Sequence, residues 1–174
     1  MVRRRSRSRL GADDSRGQSL AEFALVLPIF LLVVFGMIDV GRVVWATDNI
    51  TNAAREGARF ASIHGGSFIS ACPVGPNMTG TPAATCPAWS PDSKQPVRDA
   101  ARAFFDPSNS GATVWVCYYT TTACSGNTDQ SGATNARGSY VTVTIQMSVP
   151  ILTGTLLGLS GFTVNAHSTV LVNN

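Results

Sequence analysis

The 174-residue chain carries a formal net charge of +3, and its charges are divided unevenly along the sequence. Residues 1–17 hold six arginines and two aspartates, whereas the other 157 residues carry seven basic and eight acidic side chains. The pI of about 8.9 therefore comes from a short tail, which argues against a nucleic-acid-binding domain, because such a domain needs a structured basic face. Only 13% of the residues are charged, about half the ~25% of soluble proteins, which favours a membrane or exported chain.

An apolar run follows the basic tail. Residues 23–38 carry no charge, and as a helix these sixteen residues would extend about 24 Å of a ~30 Å hydrocarbon core. Apolar flanks lengthen the run, so we predict one transmembrane helix over about residues 20–46. Asp39 and Arg42, three residues apart, would pair on one face, and Trp45 would anchor the interface.

The topology follows from the charges on either side of this span. Arginines before it and few basic residues after it place the N-terminus in the cytoplasm and the C-terminal part outside the membrane. The alternative is a buried core helix of a soluble protein. A cleaved secretory signal is not favoured, because no stretch of small residues follows the run.

Glu22 places a charge at the start of the apolar run. An ionisable residue at the edge of a span is costly, so its default interpretation is functional. The alternative is a capping box, with Ser19 as the N-cap residue and Glu22 as the third residue of the helix. The residues alone leave both interpretations open.

The run GQSLAE at residues 17–22, after a basic leader and before an apolar helix, resembles the processing site of type IV pilin precursors. With Pro28 and the block NAAREGAR at residues 52–59, it resembles the TadE-like family, which comprises pseudopilins of the tight-adherence (Flp) pilus and secretion system. The likeness covers roughly residues 16–62. It implies that a prepilin peptidase cuts between Gly17 and Gln18, and that Glu22 helps the subunit assemble.

The same resemblance implies further partners, namely other pilin or pseudopilin subunits and the inner-membrane assembly machinery, beside the membrane lipid itself. Pro28 is familiar from that family, and it also has a direct physical consequence. Proline removes a backbone donor inside a helix, so we expect it to kink or loosen the span.

The helical pattern continues past the span to about Ile63, and Gly65-Gly66 is expected to end it. One side is a stripe of mostly small apolar residues at helical spacing, made of Ile50, Ala53, Ala54, Gly57, Ala58 and Ala61. The opposite side is polar and consists of Asn52, Arg55, Glu56, Arg59 and Ser62. It is either a face that docks a partner or a face that water solvates.

The rest of the chain predicts an α+β domain. A loop over residues 65–96 precedes a short helix at 96–105 and three strands at 113–120, 139–149 and 162–172, which alternate apolar and polar residues as half-buried antiparallel strands do. An apolar linker at 152–159 is expected to lie against the helix or the membrane. We therefore predict a 1–17 leader, an 18–63 helix and a 64–174 extracytoplasmic, pilin-like domain with a small antiparallel sheet.

The four cysteines, Cys72, Cys86, Cys117 and Cys124, all follow the span. In the predicted topology they face an oxidising compartment, where disulfides persist. Three pairings are possible, of which the local one joins Cys72 to Cys86 and Cys117 to Cys124. A zinc site is not favoured, since no C-x-x-C occurs and the two histidines lack ligand spacing.

No enzyme motif, metal ligand set or cofactor loop is found, so we expect no catalysis. The combined prediction is a minor pseudopilin or pilus-assembly protein, anchored once in the cell membrane and processed by a prepilin peptidase. One alternative is an extracytoplasmic ligand-binding module on an uncleaved signal anchor. The other is a pilin that captures DNA, which the net charge of −1 after residue 17 disfavours.

Overall fold

The computed structural model describes residues 14–65, 74–76, 94–105, 111–124, 126–154, 158 and 160–173. These residues form two helices, α1 (Asp14–Ile63) and α2 (Gln95–Arg102), and three strands, β1 (Thr113–Tyr119), β2 (Tyr140–Val149) and β3 (Phe162–Leu171). The α+β class predicted from the sequence is confirmed. Most of the predicted 65–96 loop, together with Cys72 and Cys86, lies outside the described residues.

Helix α1 is 50 residues long and ends at Ile63, so it extends about 75 Å at ~1.5 Å per residue. It begins at Asp14, four residues before the predicted start at Gln18. The last residues before the proposed cleavage point are therefore helical in the uncut chain.

The sheet has the order β1-β2-β3, and β2 runs antiparallel to both neighbours. Each strand lies within one residue of its predicted bounds. The predicted alternation on β2 is confirmed, since Val141, Val143, Ile145, Met147 and Val149 are all buried. One face of the sheet therefore packs on the helices, and the other carries Thr142, Thr144 and their cross-strand neighbours.

The core lies between this inner face and the second half of α1. Every residue of the small-residue stripe is buried, as helical periodicity predicts. Gly57 lies at the point of closest approach to α2, where an added Cβ would come within 2.9 Å of the Ala101 Cβ and 3.4 Å of the Val143 side chain. The absence of a side chain thus allows α1, α2 and β2 to pack together.

Helix α2 is shorter than predicted, because it ends at Arg102 and residues 103–105 form a turn. Its N-cap residue, Lys94, is only 8% exposed. The Lys94 ammonium contacts an Asp129 carboxylate oxygen at 2.8 Å and donates to the Asn127 carbonyl at 2.9 Å. This ion pair, of which Lys94 is the buried member, ties the start of α2 to the β1–β2 connection, and it has no signature in the sequence.

Candidate functional site

The first half of α1 stands free of the rest of the described chain. No residue from 17 to 38 is buried, and its large apolar side chains are widely exposed, for example Leu25 at 71% and Met37 at 71%. An 18-residue window in this helix has a mean hydropathy of 2.6. By length and composition α1 is a candidate membrane span, and the exposure rules out a buried core helix for this segment.

Glu22 lies one helical turn after Gln18 on this exposed segment. The Gln18 side-chain amide donates a hydrogen bond to Glu22 Oε1 at 3.1 Å. Because α1 begins at Asp14, Ser19 is an interior residue of the helix and not its N-cap. The capping-box interpretation of Ser19 and Glu22 is therefore wrong for the uncut chain.

Gly17 has no packing role among the described residues. A Cβ built on Gly17 would meet no heavy atom within 4 Å. Glycine inside a helix costs roughly 0.5–1 kcal/mol relative to alanine, and nothing in the described fold requires it at this position.

Pro28 lies inside α1, and the helix is continuous on both sides of it. Its ring removes one backbone donor from the helical hydrogen-bond ladder. The predicted kink stays a prediction.

Asp39 is the first buried residue after the exposed segment, with 6% of its surface exposed. Its carboxylate accepts three hydrogen bonds from the connection between β2 and β3, from Leu152 N at 2.8 Å, Thr153 N at 3.0 Å and Thr153 Oγ1 at 2.8 Å. The predicted partner, Arg42, is farther away at 3.9 Å. Sequence reasoning assigned Asp39 only the local partner, because the principal ones lie 113 and 114 residues along the chain.

An open groove of about 360 Å³ lies beside this carboxylate. Its walls are mostly apolar, with Gly36, Val40 and Val44 from α1 facing Ile151 and Phe162 from the domain. The groove is where the free part of α1 meets the base of the sheet.

The polar side of α1 beyond residue 50 keeps Asn52, Arg55 and Arg59 exposed. Glu56 accepts hydrogen bonds from the Arg59 guanidinium at 2.9–3.3 Å, and these bonds lower the pKa of the Glu56 carboxyl below its ordinary value. The placement of Ser62 on this face was wrong. Ser62 is only 9% exposed: its hydroxyl donates to the Arg59 carbonyl at 2.8 Å, and its own carbonyl accepts from Asn173 N where the end of the chain returns to α1.

Cys117 and Cys124 are joined by a disulfide across 6.2 Å between their Cα atoms. The other local pair, Cys72 with Cys86, lies outside the described residues. Beside the disulfide, the outer face of the sheet forms a shallow pocket of about 420 Å³ lined by Trp115, Tyr119, Thr144 and His167. Within the described ranges, no three His, Cys, Asp or Glu side chains converge as metal ligands would.

The exposed segment of α1 from Gly17 onwards and most of the small-residue stripe coincide with one recognised sequence region. Residues 17–59 match the TadE-like protein family. The TadE-like region thus starts at Gly17 and ends at Arg59, and it indicates involvement in a tight-adherence pilus system. No curated protein and no solved structure matches the chain.

The limits of the TadE-like region separate two parts of the molecule. It contains the exposed apolar segment, Glu22, Asp39 and most of the stripe that the domain packs on. The sheet lies outside it. The family match therefore concerns the helix. Any function of the outer sheet face has to be inferred from the residues of that face and not from the family.

Proposed function

We propose that this protein is a minor pseudopilin of a tight-adherence (Flp-type) pilus or secretion system, and that a prepilin peptidase removes its leader between Gly17 and Gln18. The observation that carries the proposal is the TadE-like match beginning at Gly17, with the Glu22 carboxylate one turn beyond Gln18. In this proposal the leader is cytoplasmic and the domain extracytoplasmic. The protein has no catalytic step and needs no cofactor.

The chemistry of cleavage explains the position of Glu22. Cutting before Gln18 creates an α-amine, whose ordinary pKa near 8 leaves it largely protonated at neutral pH. Placed at a helix N-terminus in a low-dielectric environment, this cation is unfavourable without an anionic partner. Glu22 already accepts a hydrogen bond from the Gln18 side chain, so its carboxylate is within reach of the residue that would bear the amine.

Burial also limits which surface of α1 is available for contact with other subunits. The small-residue stripe of α1 is covered by the protein's own sheet and α2, so it is closed to other subunits. The longest free apolar surface of α1 lies at residues 18–38, where apolar side chains are exposed around the helix. When the protein is in the membrane, lipid covers that segment. In an assembly, the corresponding helices of other pilin or pseudopilin subunits replace the lipid.

A second candidate is a ligand-binding module on an uncleaved signal anchor. The pocket on the outer sheet face, with Trp115, Tyr119 and His167, is the surface that such a module would use. Capture of DNA receives less support, because Arg42, Arg59, Lys94 and Arg102 each lie within 4.0 Å of a carboxylate. Paired cations contribute little to phosphate binding.

The deciding measurement is the intact mass of the membrane-bound protein from cells that contain an active prepilin peptidase. A chain that starts at Gln18 supports the pseudopilin, and a chain that still starts at Met1 supports the anchored module. Gly17→Arg is expected to abolish the shortening, and Ser8→Arg, which adds the same charge to the leader, is expected to leave it intact. If Gly17→Arg is shortened at the same bond, the peptidase assignment is wrong.

A further inference from the structure

We propose that the described ends of the connection between β2 and β3, residues 150–154 and 160–162, form a membrane-interfacial foot that inserts into the outer lipid headgroup layer, and that Asp39 holds it at that depth. The inference does not depend on removal of the leader. It concerns where the domain rests relative to the bilayer.

The first observation is an exposed apolar surface at one level of α1. Leu152 is 49% exposed and Phe162 57% exposed on the foot, while Val40, Val44 and Trp45 on the adjoining helix are 56–67% exposed. Three of these residues, Val40, Val44 and Phe162, also line the groove between helix and foot. Soluble surfaces rarely gather so many large apolar side chains. This surface also continues directly into the exposed segment of the candidate span.

The second observation is the composition of the foot. Residues 150–162 contain no charged side chain. The nearest cation on α1 is Arg42, whose side chain is 40% exposed and lies 3.9 Å from Asp39. A long basic side chain at such a level reaches lipid phosphates while its methylenes stay among apolar groups.

The third observation is how the backbone of the foot is satisfied. In a region poor in water, irregular backbone is tolerated only when its N–H groups find acceptors within the protein. Leu152 N and Thr153 N both donate to the Asp39 carboxylate, and the Thr153 hydroxyl does so too. Asp39 therefore satisfies the backbone N–H groups of Leu152 and Thr153 from within the protein, as apolar surroundings at the edge of the hydrocarbon core require.

Gly161 lies at the base of the foot, where the two ends of the connection approach each other closely. An added Cβ there would lie 2.5 Å from the Val149 carbonyl oxygen and 3.2 Å from the Pro150 Cα. Backbone atoms cannot yield to such a contact as flexible side chains do. Glycine thus allows the two ends of the connection to meet directly where β2 ends and β3 begins.

The depth agrees with this assignment. Asp39 lies 17 residues after Glu22, about 26 Å along a helix, against a hydrocarbon core of about 30 Å. With Glu22 at the inner edge of the core, Asp39 reaches the outer edge. Trp45 lies a further ~9 Å along the axis, in the headgroup layer where tryptophan is enriched.

Photocrosslinking of the full chain in vesicles of phosphatidylethanolamine and phosphatidylglycerol tests the foot. We would place p-benzoylphenylalanine at Leu152, at Phe162 or, as a matched control, at Tyr140, an exposed aromatic at the opposite end of the sheet. We expect lipid adducts by intact mass at positions 152 and 162, several-fold more than at 140. Equal lipid yields at all three positions, or adducts at 152 and 162 only with a second copy of the chain, would overturn the proposal.

Asp39→Ala tests the role of the carboxylate. With Asp39→Ala we expect the lipid adduct at position 152 to fall several-fold. Position 162 should keep its adduct, since Phe162 is held by its pairing with Val149, and this retained signal reports an intact sheet. Asp48→Ala, at an exposed aspartate on the same helix, should change neither yield. An unchanged yield at 152 with Asp39→Ala would show that the carboxylate does not hold the foot.

Discussion

Glu22 and Asp39 are the two carboxylates of the apolar half of α1, and they have opposite surroundings. Glu22 is exposed, and its described hydrogen bond is to Gln18 on the same helix. Asp39 is 6% exposed and is occupied by donors from a distant part of the chain. Only Glu22 is therefore available to a partner. A charge left without a partner in lipid is costly, which makes Glu22 the better candidate for an assembly contact.

Glu22→Ala tests this role at the level of one residue. We expect normal membrane insertion, because removing a charge from the edge of an apolar run does not weaken its partition into lipid. Co-purification with other pilus subunits should fall several-fold, since the new α-amine of Gln18 loses its anionic partner. Glu56→Ala removes an exposed-side carboxylate farther along the helix and serves as the control. Unchanged pilus-dependent adherence with Glu22→Ala would count against the assembly contact.

Helix α1 is one continuous element with two different environments. Up to residue 38 none of its described side chains is buried, and from Ala46 onwards its small residues are covered by the sheet and by α2. Small side chains bring the helix axis close to the sheet, which increases contact between backbones. The same helix thus has an exposed apolar surface in its first half, the candidate span, and carries the domain on its second half.

Gly57→Leu tests this close packing at the level of the elements. Leucine improves intrinsic helix propensity by nearly 1 kcal/mol over glycine, but its Cβ alone would lie 2.9 Å from the Ala101 Cβ. Overpacking of this kind typically costs about 1–3 kcal/mol, so we expect net destabilisation. Gly41→Leu is the matched control, because a Cβ at Gly41 meets no atom within 4 Å.

Thermal unfolding of both variants in detergent, followed by near-UV circular dichroism, measures the difference. Gly57→Leu should melt several degrees below the parent protein, and Gly41→Leu should melt at or above it. Equal melting temperatures for the two variants would show that the α1–α2 contact is not tight.

The molecule as a whole has a directional arrangement, with the basic leader at one end of the candidate span and the cysteines at the other. The disulfide between Cys117 and Cys124 is of the kind that forms and persists in oxidising compartments. It is therefore consistent with the extracytoplasmic domain that we propose.

This topology is tested by trapping thiols in intact cells before the membranes are isolated. Trypsin cleaves after Arg102 and Arg137, so one peptide of residues 103–137 contains both cysteines. We expect that peptide to be lighter by two hydrogens and resistant to alkylation until a reductant is added. The Cys117→Ser/Cys124→Ser protein serves as the mass control. Full alkylation without reductant would place the domain in the cytoplasm.

Local periodicity determined much of this protein from its sequence alone. The apolar run, the stripe from Ile50 to Ala61 and the alternation on β2 repeat with the periods of helix and strand, so each could be predicted without knowledge of the rest of the chain. The likeness around residues 17–22 likewise depends on short spacing. These signals were sufficient for the α+β class and for the candidate span.

The tertiary structure alone decided the contacts between residues far apart in the chain. The predicted pairing of Asp39 with Arg42, three residues apart on a helix, is confirmed at 3.9 Å, but the main donors to Asp39 come from residues 152 and 153. Ser62 was placed on the polar side by helical spacing, yet the end of the chain covers it. Lys94 likewise pairs with Asp129, a residue far from it in the chain. Such pairings depend on how the elements dock, and no local pattern encodes that docking.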